Sequence, residues 1–257
     1  MDRPITIRRA LLFMAVCSPL MLGTRYFAWP HQALPFAILL VVTLLFLRWD
    51  GRSPAVLGLD LSWRRVVEFL AGLGGGALLV VVVALCAYVV LPFPWVRNAA
   101  FEPAAMASAF LYLFYSNTAE ELVFRGYGFE RLMAGIGHWP AQIVTALLFA
   151  LFHILNGWPW QTALIGTTSG SLLFGLVFVR WQSVPAAAGV HVAGNGIRSL
   201  FLTDPPTALT FFAPLAPRPW NSSEQLLANC IHVAITILFC VVLARSVRHN
   251  RRKTGAG

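Results

Sequence analysis

Two adjacent glutamates and an arginine lie in an otherwise apolar stretch of this chain, NTAEELVFRGYGFERL at residues 117–132. Glu121 and Arg125 are four residues apart, so on a helix they share one face and can form an ion pair that lowers the cost of burying both. Glu120 projects about 100° away around that helix, toward a different neighbour. This leaves one carboxylate for chemistry. The alternative is a membrane boundary, where Arg125 reaches the headgroups and both glutamates contact water.

Two histidines lie in separate apolar segments, and each has a partner one helical turn away. FALFHILNG places Phe149 and His153 four residues apart, and PAAAGVHVAGNG places His191 and Asn195 four residues apart. Their helices are otherwise nearly free of polar side chains, whereas His232 lies alone in its segment and is interpreted as structural. His153 and His191 are therefore candidate functional residues.

Glutamate, histidine and asparagine side chains inside a helical bundle allow three kinds of chemistry. In the first, Glu120 and His153 hold and deprotonate water, while His191 and Asn195 donate hydrogen bonds to the oxyanion of a tetrahedral intermediate. In the second, the two histidines and a glutamate bind zinc, which activates the water. In the third, the groups carry protons or ions across a membrane.

The composition indicates that these residues lie in a membrane protein. The chain of 257 residues is 58% hydrophobic and 11% charged, and its mean hydropathy is +0.71. The formal net charge of +9 could suggest nucleic acid. The basic residues, however, lie between apolar stretches and not along a continuous stripe, so membrane lipids are the expected partner and nucleic acid is not.

Windows of about 20 residues predict an all-α polytopic membrane protein with about eight transmembrane helices and the active site inside the bundle. Residues 1–257 are expected to form a single integral membrane domain, since no segment between the spans is long enough for a separate domain. Two glycine pairs, Gly72 with Gly76 and Gly166 with Gly170, are expected to let helices approach closely. The predicted spans are 9–28, 33–47, 66–91, 104–124, 140–157, 161–179, 184–203 and 226–244.

Arginine bias predicts that the N- and C-termini are both cytoplasmic. With eight spans this orientation places 15 of the 19 basic residues inside and leaves Arg25, Arg97, Arg198 and Arg218 on the other side. The expected location is the inner membrane of a bacterium. Because Arg125 then lies toward the cytoplasmic end of its helix, the cavity beside Glu120 is expected to open to that side.

The polar pattern resembles the CAAX protease and bacteriocin-processing (CPBP) family of intramembrane endopeptidases, which is related to the type 2 CAAX prenyl proteases. The family has three motifs: Glu-Glu followed after three residues by Arg, Phe followed after three by His, and His followed after three by Asn. All three occur here in the family's order, and the resemblance covers roughly residues 105–200, the expected catalytic core. The motif residues are Glu120, Glu121, Arg125, Phe149, His153, His191 and Asn195.

The resemblance implies a glutamate-dependent endopeptidase without a cofactor. Glu120 would be the general base and His153 would position the water, with His191 and Asn195 as the oxyanion hole. Glu121, Arg125 and Phe149 would support the site. The substrate would be a membrane-associated or lipidated protein or peptide.

Zinc remains an alternative, with His153, His191 and Glu120 as its ligands. The chain has no His-Glu-x-x-His sequence, so the usual arrangement of zinc ligands on one helix is missing. The metal-free mechanism is therefore favoured.

Two other functions compete with this interpretation. A serine protease of the rhomboid type would use Ser169 in GTTSGS, but the glycine that should precede the nucleophile is not at the required spacing. A catalytically idle family member could act as a membrane scaffold or immunity factor. The seven intact motif residues favour an enzyme, and a transporter is disfavoured because no inverted repeat is seen.

Overall fold

The computed structural model describes residues 3–23, 31–91, 94–201, 207–214 and 221–253. Among these residues the fold is all-α apart from one pair of three-residue strands. A 3₁₀ turn at Pro54–Leu57 precedes α3, and a π-helical turn at Ala163–Thr167 joins α7 to α8. The helices are α1 (Arg3–Gly23), α2 (Ala33–Trp49), α3 (Trp63–Val90), α4 (Pro103–Phe124), α5 (Tyr127–Ile136), α6 (His138–Leu155), α7 (Trp160–Thr162), α8 (Thr168–Trp181), α9 (Val184–Phe201) and α10 (Ser222–Lys253).

Each predicted apolar segment coincides largely with a helix, which confirms an all-α polytopic membrane protein. Within the described part of the chain, five helices are long and apolar enough to cross a membrane, and α2 is a shorter apolar helix. α4 and α9 are not among the five, because the polar motif residues that they carry lower their mean hydropathy. The number of eight spans therefore stays a prediction. The five are Arg3–Gly23, Trp63–Val90, His138–Leu155, Trp160–Trp181 and Ser222–Val247.

Some of the predicted features fall outside the described residues. These are the ends of two spans, at 24–28 and 202–203, and two of the four arginines expected on the non-cytoplasmic side, Arg25 and Arg218. The orientation of the chain stays a prediction.

The helix α5 and a pair of short strands were not predicted from the sequence. The amphipathic helix α5 follows α4 after a turn at Gly126, where a Cβ atom would lie 2.1 Å from the carbonyl oxygen of Leu122. α5 packs mainly on α1 and α6. Its charged residues lower the mean hydropathy of the segment, so a hydropathy window does not detect it. The strands β1 (Trp95–Arg97) and β2 (Phe212–Pro214) pair antiparallel, with Val96 opposite Ala213, and connect the loop before α4 to the loop after α9.

Glycines set the position of α9, the helix that carries His191 and Asn195. A Cβ atom on Gly72 would lie 2.2 Å from the carbonyl oxygen of Ala186, and one on Gly76 would lie 2.5 Å from that of Val190. The predicted close approach at this first glycine pair is confirmed, and it packs α3 directly along α9. The prediction for the second pair is wrong, because Gly166 has open space where its Cβ would be and Gly170 meets only Phe174 at 3.6 Å.

A largely buried set of charged residues, which we name the Asp50 network, connects α1, the end of α2 and α5. Asp50 follows α2, its side chain is fully buried, and it accepts hydrogen bonds from Arg9, from Tyr127 at 2.9 Å and from Arg131 at 3.4 Å. Glu130 accepts from Arg52 and, at 2.7 and 3.1 Å, from Arg131. The network consists of Arg9, Asp50, Arg52, Tyr127, Glu130 and Arg131.

Candidate active site

The last turn of α4 carries both glutamates, and Arg125 follows the helix as its C-cap. Arg125 Nη1 lies 3.3 Å from Glu121 Oε1, and the side chains are 1% and 0% exposed. The predicted ion pair is thus formed and buried. The alternative of a membrane boundary, with Arg125 at the headgroups and both glutamates in water, is wrong for this pair.

Arg125 is fixed by two further helices. Its Nη2 donates to the carbonyl oxygen of Ser171 at 3.0 Å and to the Ser171 hydroxyl at 2.6 Å. The guanidinium carbon lies 4.6 Å from the centre of the Phe149 ring and 5.2 Å from that of Phe174. Cation–π contact with desolvated rings contributes to holding the charge, so Phe149 supports Arg125 through its ring.

His191 joins the two glutamates. Its Nδ1 lies 2.8 Å from Glu121 Oε1, and its Nε2 lies 3.9 Å from Glu120 Oε2. The imidazole is buried and stacked on Phe174, with ring centres 4.3 Å apart and planes 22° from parallel. The expectation that Glu120 faces a different neighbour from Glu121 is therefore wrong: both reach His191, at opposite nitrogens.

Glu120 has a carboxylate oxygen without a protein partner. The Glu120 side chain is 12% exposed, and its Oε2 is buried without a hydrogen bond from any described residue. The distance of 3.9 Å to His191 is too long for a hydrogen bond, but one water oxygen could contact both atoms. Glu121 differs, since its Oε1 contacts Arg125 and His191 while its Oε2 also has no partner.

His153 lies beside this cluster with its protonation pattern fixed by the backbone. Its Nδ1 is 2.9 Å from the carbonyl oxygen of Phe149, and a carbonyl can only accept, so Nδ1 carries the proton. In the neutral ring Nε2 is then an acceptor. The ring centre of Phe149 lies 4.5 Å from that of His153 and 6.0 Å from that of His191. The phenyl ring of Phe149 is therefore next to both histidines.

Asn195 meets the site through a residue of α4. Its Nδ2 lies 3.4 Å from Oδ1 of Asn117. Asn117 is buried, and its own Nδ2 donates to the backbone carbonyl oxygen of His191 at 3.2 Å. Asn117 therefore bridges both motif residues of α9.

The structure places five of the seven predicted residues in direct contact or as immediate neighbours: Glu120, Glu121, Arg125, Phe149 and His191. His153 packs on Phe149, and Asn195 is connected through Asn117. Their catalytic roles stay predictions.

Sequence reasoning missed three residues of the site. Asn117 had a usable signal, since it is a polar residue four positions before Glu121 in an apolar helix. Ser171 and Phe174 had none, because only the packing of α8 on α9, next to the end of α4, places them beside Arg125 and His191.

The alternative chemistries fit this arrangement less well. In the described part of the chain, no group of three His, Cys, Asp or Glu side chains could hold a metal ion, so Glu120, His153 and His191 do not form a ready set of zinc ligands. Ser169 donates its hydroxyl to the carbonyl oxygen of Gly166 at 2.8 Å, and His191 Nδ1 faces Glu121. The serine–histidine pair of a rhomboid-type enzyme is not formed between these described residues.

Comparison with known families finds a match in the region that carries the motifs. A family model described as type II CAAX prenyl endopeptidase Rce1-like matches residues 102–197. That range contains every motif residue from Glu120 to Asn195. No curated protein matches the chain significantly. This match supports membership of the CAAX protease family for residues 102–197, and the description of that family is a prenyl endopeptidase.

Proposed function

We propose that this protein is a glutamate-dependent intramembrane endopeptidase in which Glu120 and His153 activate water and His191 and Asn195 stabilise the oxyanion. The observation that carries the proposal is the buried Oε2 of Glu120, which has no protein partner and lies 3.9 Å from His191 Nε2. Buried polar atoms in folded proteins nearly always have a partner, so each exception needs an explanation, and a catalytic role is one.

The two adjacent glutamates divide the work. Glu121 Oε1 is engaged by Arg125 and His191, so Glu121 holds the site together. Glu120 makes no such bond, so it can take a proton from water without weakening a contact to Arg125 or His191, as a general base must. Glu120 is therefore the base.

His153 suits the binding of the reacting water. With Nδ1 donating to the Phe149 carbonyl, its Nε2 accepts a hydrogen bond from one of the water's protons. Glu120 would accept the other proton. The rings of Phe149, Phe152 and Trp158 surround the His153 imidazole at centre distances of 4.5, 5.3 and 4.9 Å, which limits its freedom to rotate.

His191 donates to the oxyanion only if its Nε2 carries a proton. Because Nδ1 faces Glu121, the donor form is the imidazolium. Two carboxylates flank the ring, at 2.8 and 3.9 Å. With Glu120, Glu121, Arg125 and His191 all ionised, the four charges cancel, and a buried cluster of zero net charge is less costly than a charged one.

The proposed reaction uses these side chains in two steps. The water oxygen bonds to the carbonyl carbon while Glu120 takes one proton, and the carbonyl electrons move onto the oxygen that His191 and Asn195 face. When the carbon–nitrogen bond breaks, the carbonyl re-forms and Glu120 passes its proton to the departing nitrogen. The other water proton stays on the new carboxylic acid. Water and side chains suffice, and no cofactor enters this scheme.

The proposed substrate is a membrane-anchored or lipidated protein or peptide. It would reach Glu120 from the cytosol or laterally through the bilayer. The positive-inside distribution of arginines supports an inner-membrane enzyme with both termini cytoplasmic. Membrane lipids are its surroundings, and nucleic acid has no role in the proposal.

Cleavage of membrane-anchored peptides by the purified protein in detergent tests the proposal. We expect Glu120→Gln to lower kcat by about 10³-fold, within the range for general-base catalysis, and His153→Ala to lower it as well. Both variants should keep the wild-type melting temperature. Glu102→Gln is the matched control, since this exposed glutamate precedes the other end of α4 and makes no side-chain cap.

Two outcomes would contradict the proposal. Wild-type kcat in Glu120→Gln would remove Glu120 as the base. Absence of cleavage by the wild type across a broad panel, with a cellular phenotype that survives both substitutions, would indicate a scaffold instead.

A further inference from the structure

We infer that Asn117 is a positioning residue for the oxyanion hole, and that it sets which end of the Asn195 carboxamide faces the substrate. The inference rests on the proposed function, because it concerns how Asn195 comes to donate. Asn117 lies outside the three motifs, and it forms hydrogen bonds with His191 and Asn195 of α9.

The first step is the orientation of Asn117 itself. Its Nδ2 lies 3.2 Å from the backbone carbonyl oxygen of His191. A carbonyl oxygen can only accept, and its second lone pair remains available beside the bond that it accepts within α9. The nitrogen end of Asn117 must therefore face His191, so the oxygen end faces away from it.

The second step passes this orientation to Asn195. The oxygen end of Asn117 lies 3.4 Å from Asn195 Nδ2, and this oxygen can only accept. Asn195 must then present its nitrogen, because the flipped carboxamide would bring two oxygens together. An amide nitrogen carries two protons, so one is used by Asn117 and the other is left to donate to an oxyanion.

The third step is that α4 and α9 match in register. Asn117 and Glu121 are four apart on α4, and Asn195 and His191 are four apart on α9. Asn117 contacts Asn195, and Glu121 contacts His191. One face of α4 therefore orients both proposed oxyanion donors, through an amide in one case and a carboxylate in the other.

Burial makes the orientation effective. Asn117 is 2% exposed, so water does not compete strongly for its amide, and hydrogen bonds between buried polar groups are stronger than those in water. Without Asn117 the Asn195 carboxamide could turn its oxygen toward the oxyanion, which would repel it.

The test is a double-mutant cycle of Asn117→Leu with Asn195→Ala, read as kcat and KM for peptide cleavage. Loss of one oxyanion donor costs about 10²–10³-fold, and we expect that loss in kcat for Asn195→Ala. Asn117→Leu should lower kcat by about tenfold through misplacement of the donor, with KM unchanged. In the Asn195→Ala background, Asn117→Leu should have no further effect.

Thr118→Val is the matched control. Thr118 adjoins Asn117 on α4, and its hydroxyl has no hydrogen-bond partner among the described residues, so kcat should stay at the wild-type value in both backgrounds. Asn117→Ala replaces the leucine variant in the same cycle if the latter does not fold.

A readout without substrate gives an independent answer. The chain has seven asparagines, so a spectrum of protein labelled with ¹⁵N at asparagine is simple, and the Asn195 side-chain signal is assigned by its loss in Asn195→Ala. Asn117→Leu should shift that signal, and Thr118→Val should not. An Asn195 signal that Asn117→Leu leaves unchanged would overturn the inference.

The kinetic outcomes separate this inference from the proposed function. Suppose that Asn195→Ala lowers kcat. If Asn117→Leu then leaves kcat unchanged, or lowers it by the same factor with and without Asn195→Ala, only the role of Asn117 is overturned. If Asn195→Ala keeps wild-type kcat, the oxyanion role of Asn195 in the proposed function fails, and the positioning role fails with it.

Discussion

The Asp50 network and the candidate active site are both buried sets of charges, and they differ in how completely they are paired. In the Asp50 network every carboxylate oxygen of Asp50 and Glu130 accepts at least one hydrogen bond. In the active site Glu120 Oε2, Glu121 Oε2 and Arg125 Nε have no partner among the described residues. The carboxylates of the Asp50 network are thus fully hydrogen-bonded, whereas the active site retains buried polar atoms without a hydrogen bond from any described residue.

This difference has a chemical reason. A carboxylate whose lone pairs are all engaged by arginines cannot take a proton from water without breaking those bonds. Glu120 does not have this constraint, because Arg125 pairs with Glu121 instead. One turn of α4 thus carries a carboxylate that is paired with an arginine and one that is not. Substitutions in the Asp50 network should therefore lower stability, and substitutions in the active site should lower activity.

The largest stability effect is expected for Asp50→Ala. It removes the acceptor of Arg9, Tyr127 and Arg131, and the buried Tyr127 hydroxyl loses its partner. Breaking a buried charged pair costs about 3–5 kcal/mol of unfolding free energy. Reversible unfolding in mixed micelles measures the loss. The kcat of the folded fraction should stay at the wild-type value.

Asp60→Ala is the control for that substitution. Asp60 pairs with Arg65 at 2.7 Å, and its side chain is 33% exposed, so the unfolding free energy should stay close to that of the wild type. A fall in kcat for Asp50→Ala at unchanged stability would show that the Asp50 network affects catalysis and is not only structural.

A smaller stability effect, combined with lost activity, is expected for Glu121→Gln. The neutral amide oxygen still accepts from Arg125 or His191, but without the charge, and we expect a loss of about 2 kcal/mol in unfolding free energy. His191 also loses the carboxylate that favours its donor form, so kcat should fall by about tenfold or more.

Comparison with Glu120→Gln sharpens this prediction, because that variant should lose activity alone. The same unfolding and cleavage assays serve for both. If Glu121→Gln lowers stability and leaves kcat intact, Glu121 only supports the fold and the proposed charge state of His191 is wrong.

The sequence predicted the parts of this site that depend on local spacing. The ion pair of Glu121 with Arg125 follows from four-residue spacing on a helix, and the apolar helices follow from hydropathy. The resemblance to CAAX proteases grouped motifs from α4, α6 and α9, which hydropathy alone could not have placed together.

What the sequence could not supply depends on contacts between helices. The position of His191 between two carboxylates arises from the packing of α9 against α4, and the stacking of Phe174 on its ring arises from the packing of α8 against α9. The same holds for α5, whose charged residues Glu130 and Arg131 find their partners, Arg52 and Asp50 after α2, only in the folded chain. Gly72 and Gly166 had equal signals, yet only Gly72 meets another helix.

The smallest effect is expected for Tyr127→Phe, which tests whether single bonds of the Asp50 network matter. The Tyr127 hydroxyl donates to Asp50 at 2.9 Å, but Arg9 and Arg131 still donate to Asp50 without it. We expect a loss of about 1 kcal/mol in unfolding free energy and no change in kcat. Tyr112→Phe, at an exposed position of α4, is the matched control.

The pH dependence of this difference identifies the bond as its cause. Burial, and then the hydrogen bond to Asp50, raises the pKa of the Tyr127 phenol above its ordinary value. The folded protein therefore keeps a proton that the unfolded chain releases above about pH 10. The advantage of the wild type over Tyr127→Phe should be complete below that pH and should shrink as pH rises above it. An advantage independent of pH would mean that the hydrogen bond from Tyr127 to Asp50 is not the source of the stability difference.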